Sequence, residues 1–180
     1  MSFLGEMNFF LGLQIVQCKK GIFIHHSKYI KDMSKKFQLE DCKHVFTPMT
    51  IGCKLRKEDE SKDVDPKHYR SMIGSLLYVT ASRPDVKQVV GMVARFQAAP
   101  KESHVQVVKR IFMYLKGTVN LRLWHPSKKT FSLKAYSDAD WVGCVDDRKS
   151  TSGGAFFLGE SLVAWTSKEH TSISLSTTEA

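Results

Sequence analysis

Between Asp65 and Gly117 the apolar residues recur at helical spacing in three successive stripes, each with its own start or stop signal. Asp65-Pro66 places a capping acid before a proline at the first helical position, and Tyr69, Met72, Ile73, Leu76 and Leu77 follow as one stripe. Ser82-Arg83-Pro84-Asp85 opens a second helix in the same manner, with Val86, Val89, Val90, Val93 and Phe96 on one face. Pro100 separates it from a third, whose Val105, Val108, Ile111, Phe112 and Leu115 face inward until Gly117 ends it. Valine is a mediocre helix former, so 86–93 also has a strand alternative. The helical segment 65–117 is the expected stable core.

The flanks follow different rules. Phe9 to Val16 reads as a strand with Gly12 inside it, Lys19-Lys20-Gly21 as a turn, and Ile22 to His25 as the returning strand of a hairpin. Glycine in mid-strand marks a bulge or a close approach to the backbone. Tyr29, Ile30, Met33 and Phe37 then recur at helical spacing behind Ser27, the expected N-cap. Residues 47–65 contain Pro48, Gly52 and a charged stretch without periodicity, which reads as a loop. From Leu121 the helical spacing gives way to alternation. Phe131, Leu133 and Ala135 alternate with Ser132, Lys134 and Tyr136 in a strand ending at Ser137-Asp138-Ala139-Asp140. Gly153–Leu158 and Leu162–Thr166 complete an antiparallel meander, and Ser176-Thr177-Thr178-Glu179 has the capping-box spacing of a helix start.

Composition excludes several classes. With 42% hydrophobic and 25% charged residues, the 180-residue chain is too apolar for disorder and long enough for one domain or two small ones. It has no run of about 18 uncharged apolar residues, so a membrane span is not expected. Met1 to Phe10 lacks the basic and small-residue pattern of a secretory signal. Cys18, Cys42, Cys53 and Cys144 include no CxxC pair, and Cys42, His44 and Cys53 fit no zinc spacing. Reduced thiols in a cytoplasmic or nuclear setting are the expectation.

The net charge of +9 is unevenly distributed. Residues 1–130 carry 23 Lys/Arg against 11 Asp/Glu, and residues 131–180 carry 4 against 7. A basic body followed by an acidic tail suggests two units with different jobs. The exposed faces of the second and third helices carry Lys87, Arg95, Lys101, Lys109, Arg110 and Lys116. Such a body either tracks a polyanion or is simply a solvated basic surface, and charge alone leaves both open. The acidic tail supplies the chemistry. A carboxylate at a strand end (Asp138) and another in the first turn of a helix (Glu179) are the right types to hold Mg²⁺ through oxygen ligands. Taken singly, Asp138 also reads as a solvated strand-end acid and Glu179 as a capping residue.

Seven short segments carry a family resemblance. They are Phe9-Phe10-Leu11-Gly12-Leu13-Gln14-Ile15, Tyr69-Arg70-Ser71-Met72-Ile73-Gly74-Ser75-Leu76-Leu77-Tyr78, Arg83-Pro84-Asp85 and Tyr114-Leu115-Lys116-Gly117-Thr118. The series continues through Tyr136-Ser137-Asp138-Ala139-Asp140-Trp141, Asp147-Arg148-Lys149-Ser150-Thr151-Ser152-Gly153 and Ser174-Leu175-Ser176-Thr177-Thr178-Glu179-Ala180. In this order they resemble copia-type LTR retrotransposon Pol polyproteins over nearly the whole chain. The resemblance implies the end of reverse transcriptase followed by the start of RNase H. The fold class is then α+β: a β-hairpin and a thumb-like helical bundle, followed by an incomplete RNase H-like α/β unit. Residues 1–46 correspond to the end of the palm with a primer-grip-like hairpin, and 47–64 to a linker. Residues 65–120 correspond to thumb and connection helices, and 121–180 to the RNase H-like unit.

By the same resemblance, Leu11 and Gly12 lie against the primer backbone, while Lys87, Arg95, Lys109 and Arg110 face nucleic-acid phosphates. Asp138 and Glu179 match the first two catalytic carboxylates and metal ligands. The Tyr-x-Asp-Asp motif of the polymerase and the further RNase H aspartates have no counterpart within these 180 residues. The chain alone is therefore expected to be inactive, with weak Mg²⁺ binding or none. It is expected to retain non-sequence-specific affinity for an RNA–DNA hybrid or DNA duplex backbone, and the rest of a Pol polyprotein is a further expected partner. The rival expectation is a protein-interaction module without catalysis, since stand-alone fragments of this family occur, some as effectors. Gly153-Gly154 and Glu169-His170 depart from the commoner family residues. The two-unit organisation predicts protease cuts within 47–65 and near 125–130.

Overall fold

Asp65 behaves as its place before Pro66 requires: its carboxylate accepts the backbone N–H groups of Lys67 (2.9 Å) and His68 (3.3 Å). Those two bonds, led by the one from Lys67, hold the Asp65 carboxyl below its usual pKa. The helix so capped is one of four in the computed structural model, which describes residues 6–58, 60–128, 131–140 and 149–170. The regular elements are β1 (Phe9–Phe10), β2 (Leu13–Cys18), β3 (Gly21–His25), α1 (Ser27–Lys36), α2 (Pro66–Val79) and α3 (Lys87–Ala94). α4 (Glu102–Gly117), β4 (Leu123–Pro126), β5 (Leu133–Asp140), β6 (Thr151–Leu158) and β7 (Ser161–Glu169) follow. Among the described residues the architecture is thus mixed α and β, with two antiparallel sheets.

The three central stripes pack against one another and against α1. Ile30 and Met33 join Tyr69, Met72, Ile73, Leu76, Val90, Val93, Val108, Ile111, Phe112 and Leu115 in one buried cluster. Burial pushes the Tyr69 phenol above its usual pKa, and its hydroxyl donates to the Val93 carbonyl at 2.8 Å. Leu77 is a correction: it is exposed, and Val79 is buried in its place. A stripe through 69, 72, 73 and 76 continues at 79, whereas Leu77 sits about 100° round the helix from Leu76. The segment from Pro84 is helical, as the period indicates, but begins with a single 3-10 turn, Pro84–Val86, before α3. Ser27 is also a correction. It is the first residue of α1, and His26 holds the cap position. The Ser27 hydroxyl instead donates to the Val119 carbonyl at 2.8 Å, tying α1 to the segment after α4.

The first sheet has the order β1-β2-β3-β4. Gly12 does not lie inside a strand. Leu11 and Gly12 have φ of 47° and 78° and form the two-residue loop between β1 and β2, with Phe10 opposite Leu13. Two positive φ values are the hallmark of the type I′ hairpin turn, so the glycine serves the turn. A Cβ on Gly12 would meet the Tyr78 hydroxyl at 2.5 Å. The hairpin β2–β3 closes at Cys18↔Gly21, and β4 then pairs with β3 from Gly21↔Pro126 to Ile24↔Leu123. A Cβ on Gly21 would strike the His125 carbonyl oxygen, so this close strand approach depends on glycine. Residues 123–126, reached after all four helices, therefore pair with the first sheet, and the Trp124 ring packs on Phe23 at 4.3 Å.

The second sheet is β5-β6-β7, paired from Leu133↔Leu158 to Asp140↔Thr151 and from Thr151↔Glu169 to Leu158↔Ser161. The alternation of Phe131, Leu133 and Ala135 makes a strand but buries no face: all three are exposed. β5 is an edge strand, and no helix is packed over it among the described residues. Trp141 and the helix start at Ser176 to Glu179 lie outside the described residues. The loop 47–64 is partly fixed. Glu102 N–H donates to the Lys62 carbonyl (2.9 Å), Val64 N–H to Pro100 (3.1 Å), and the Lys101 ammonium lies 2.8 Å from the Asp63 carboxylate. His104 accepts the Lys101 N–H at Nδ1 (3.0 Å), so its Nε2 carries the proton that binds the Arg56 carbonyl at 2.8 Å.

Candidate nucleic-acid interface

Two of the sequence motifs face each other across a shallow depression of about 500 Å³. Gly12, at the β1–β2 turn, forms one side. Arg70, Ser71, Gly74, Ser75 and Tyr78 of α2 form the other, with Tyr29 between them. The α2 residues are those left over once Tyr69, Met72, Ile73 and Leu76 turn inward. The small Ser71, Gly74 and Ser75 keep the backbone of α2 open, and a Cβ at Gly74 would meet nothing within 4 Å. Tyr78 stacks obliquely on Tyr29 at 4.8 Å, which fixes the floor.

Tyr78 also lines a second depression, with Leu77, Thr80, Ala81, Lys87, Val163, Ala164 and Trp165. Lys87 and Trp165 in turn line a third, of about 330 Å³, between Pro84, Lys87 and Gln88 and the second sheet. Tyr136, Asp138, Gly153, Gly154 and Thr166 belong to that third depression. Shared lining residues, Tyr78 and then Lys87 and Trp165, set the three depressions in a row, a track from Gly12, past α2 and β7, to Asp138. The Trp165 indole N–H donates to the Thr80 carbonyl at 3.0 Å and pins the midpoint.

The expected site residues divide accordingly. Gly12, Lys87 and Asp138 lie on the track, and Leu11 stands beside it, 74% exposed. Arg95 is turned to the protein: its guanidinium lies 2.9 Å from the Glu169 carboxylate and donates to the Thr151 hydroxyl at 3.2 Å. Arg110 donates to the Thr47 hydroxyl at 2.9 Å. Lys116 donates to the Glu40 and Cys42 carbonyls. Lys109 is exposed on α4 and lines none of the three depressions. Of six cations on the helix faces, Arg95, Lys101, Arg110 and Lys116 have partners within the protein. Arg70, Ser71, Gly74 and Ser75 were not expected as site residues. For Ser71, Gly74 and Ser75 the signal is small and hydroxyl side chains at spacings of three and four on the polar side of the helix.

Two other motifs meet behind Pro84, which itself lines the third depression. Arg83, 2% exposed, donates to both Asp85 carboxylate oxygens (2.8 and 2.6 Å), to the Thr118 carbonyl (3.0 Å) and to the Thr118 hydroxyl (2.7 Å). The Tyr114 hydroxyl adds a bond to Asp85 at 2.9 Å. Burial pulls the Asp85 carboxyl upward, but the Arg83 bonds and charge with the Tyr114 bond outweigh it and leave the pKa lowered.

The metal expectation meets a sparse donor set. Asp138 is exposed on β5 opposite Gly153, and Glu179 lies outside the described residues. Among the described residues no three His, Cys, Asp or Glu side chains converge to hold a metal ion. Asp138 is the described member of the expected pair, and no chemical step is assigned to it.

The chain is similar over almost its full length to retrotransposon proteins. It is 38% identical to the retrovirus-related Pol polyprotein from transposon RE1 of Arabidopsis thaliana, over 97% of this chain and 12% of that protein. It is 34% identical to the Pol polyprotein from transposon TNT 1-94 of Nicotiana tabacum, over 100% of this chain and 14% of that protein. It is 33% identical to an uncharacterized mitochondrial protein of Arabidopsis thaliana, over 99% of this chain and 74% of that protein. The chain belongs to the copia-type retrotransposon Pol polyprotein family and corresponds to about an eighth of the length of the full polyproteins it matches. No protein-family model matches it, and no solved structure matches it. No helix among the described residues is long and apolar enough to cross a membrane.

Proposed function

We propose that this chain is the part of a Pol polyprotein that cradles the template–primer duplex between polymerase and nuclease. In this assignment the β1–β2 turn is the primer-grip element, α2 and α3 the thumb, α4 the connection, and β5–β7 the opening strands of RNase H. The single observation that supports it most is the row of adjoining depressions from Gly12 to Asp138. Its lining suits a backbone rather than base edges. Ser71, Gly74 and Ser75 let a sugar–phosphate chain approach α2, and the track's cations are Lys87 and Arg70, the latter also donating through Nε to the Pro66 carbonyl at 3.0 Å. Within these 180 residues only Asp138 and Glu179 correspond to RNase H carboxylates, and no Tyr-x-Asp-Asp is present. The stretch alone therefore binds without copying or cutting, and holds Mg²⁺ weakly if at all.

Two track cations set a quantitative expectation. Neutralising about two phosphates gives a log–log salt slope of roughly −2, with weak affinity that fades by physiological salt. Titration of a labelled RNA–DNA hybrid at several salt concentrations tests this. Salt-indifferent binding, or no binding at low salt, would remove the proposal.

A further inference from the structure

Every residue of the hydrophobic core, including the partly buried residues packed against it, comes from positions 29–119. Among the described residues none comes from β5, β6 or β7; β7 lies beside α3 and β4, with Leu77 and Tyr78 sharing a depression with Val163, Ala164 and Trp165. Polar contacts add to that packing. Arg95 leaves the C-cap position of α3, and its Nη1 lies 2.9 Å from Glu169 Oε1 on β7. Its Nη2 donates to the Thr151 hydroxyl on β6 at 3.2 Å. Thr151 and Glu169 are direct partners in the sheet register, so one guanidinium grips both ends of a single rung. The rung is itself fixed, because the next residue, His170, donates its N–H to the Ser150 carbonyl at 2.9 Å. Two residues along β6 from Thr151 is Gly153, which stands opposite Asp138. The side chains of Arg95 and Glu169 are only 20% and 27% exposed, so water and salt screen the pair less than an open surface pair.

We infer that Arg95 is a positioning residue: through Thr151 and Glu169 it sets the second sheet on α3 and so holds Asp138 at the end of the track. This is a property of the protein without nucleic acid, and it goes beyond duplex binding. The side chain expected to meet a phosphate instead orients the neighbouring unit. The Trp165–Thr80 bond and the packing of β7 beside β4 supply further attachment.

The test is a distance measurement on the full chain, with its four cysteines replaced by serine and spin labels at Gln106 on α4 and Lys134 on β5, both exposed. Pulsed electron paramagnetic resonance is expected to give one narrow distance. In Glu169→Lys the narrow component is expected to lose most of its amplitude, and in the charge-swapped Arg95→Glu/Glu169→Arg chain to recover it. Circular dichroism reports whether each variant keeps its helices, and Glu169→Gln carries the same test should Glu169→Lys fail to fold. An unchanged narrow distance in the Glu169 variants, or a swapped chain that stays broad while folded, overturns the inference. No duplex is added, so a failure of nucleic-acid binding leaves the outcome readable.

Discussion

His26 is 1% exposed, shares a 2.6 Å hydrogen bond with the Ser82 hydroxyl through Nδ1, and has no partner for Nε2 among the described residues. Tyr29 and Tyr78 enclose its ring. Burial, helped by the neighbouring His25, pushes its pKa down to about 4 from 6.5. The folded value lies below the unfolded one, so the neutral ring stabilises the fold fully above pH 6.5. That contribution is lost as pH falls from 6.5 towards 4, and its size is about 3 kcal/mol. Asp85, lowered from 3.8, loses its contribution only below that pH, outside this window. Urea unfolding at pH 7 and pH 4 should show the drop in the native chain and a much smaller one in His26→Gln. An equal drop in both would show that other groups carry it. Nothing in the pattern around His25-His26 announces this, because the enclosing Ser82 and Tyr78 lie more than fifty residues away.

At the scale of elements, the helices were legible where a single period governs them, and errors arose where two periods meet. Leu76 and Leu77 are adjacent apolar residues, and only the position of the stripe decides which turns inward. Leu11-Gly12 read as strand because apolar residues flank it, whereas the pair of positive φ values makes it a turn. The junction of Arg83-Pro84-Asp85 with Tyr114 to Thr118 was invisible as a contact, although both motifs were visible as words. Arg83→Met would remove the four hydrogen bonds of a buried guanidinium and leave Asp85, whose side chain is 31% exposed, without its counter-charge. A loss of about 2 kcal/mol is expected in urea unfolding, and a change below about 0.5 kcal/mol, typical of surface positions, would contradict the junction's role. The loop after α1 is not uniform either. Phe46 and Ile51 are exposed, whereas 61–64 is bonded to the start of α4. Limited proteolysis should cut at 46–52 and spare 61–64; early cleavage within 61–64 would mean those bonds do not hold in solution.

At the scale of the whole molecule, the division of charge between a basic body and an acidic tail pointed to polyanion binding without locating it. The location depends on which cations the fold engages internally, and that is decided by partners distant in sequence: Glu169 for Arg95, Thr47 for Arg110, Asp63 for Lys101. The track assembles from three motifs separated by dozens of residues, so its residue types were legible and its arrangement was not. Lys87 lies on it, and Lys109, equally basic and one helix away, does not. The most direct test compares Lys87→Glu with Lys109→Glu in binding to an RNA–DNA hybrid at about 50 mM salt, where phosphate contacts are weakly screened. Lys87→Glu should weaken binding on the order of tenfold, as loss and reversal of one phosphate contact does, with Lys109→Glu within about twofold of the native chain. Equal weakening by both substitutions, or by neither, would contradict the track as the duplex path.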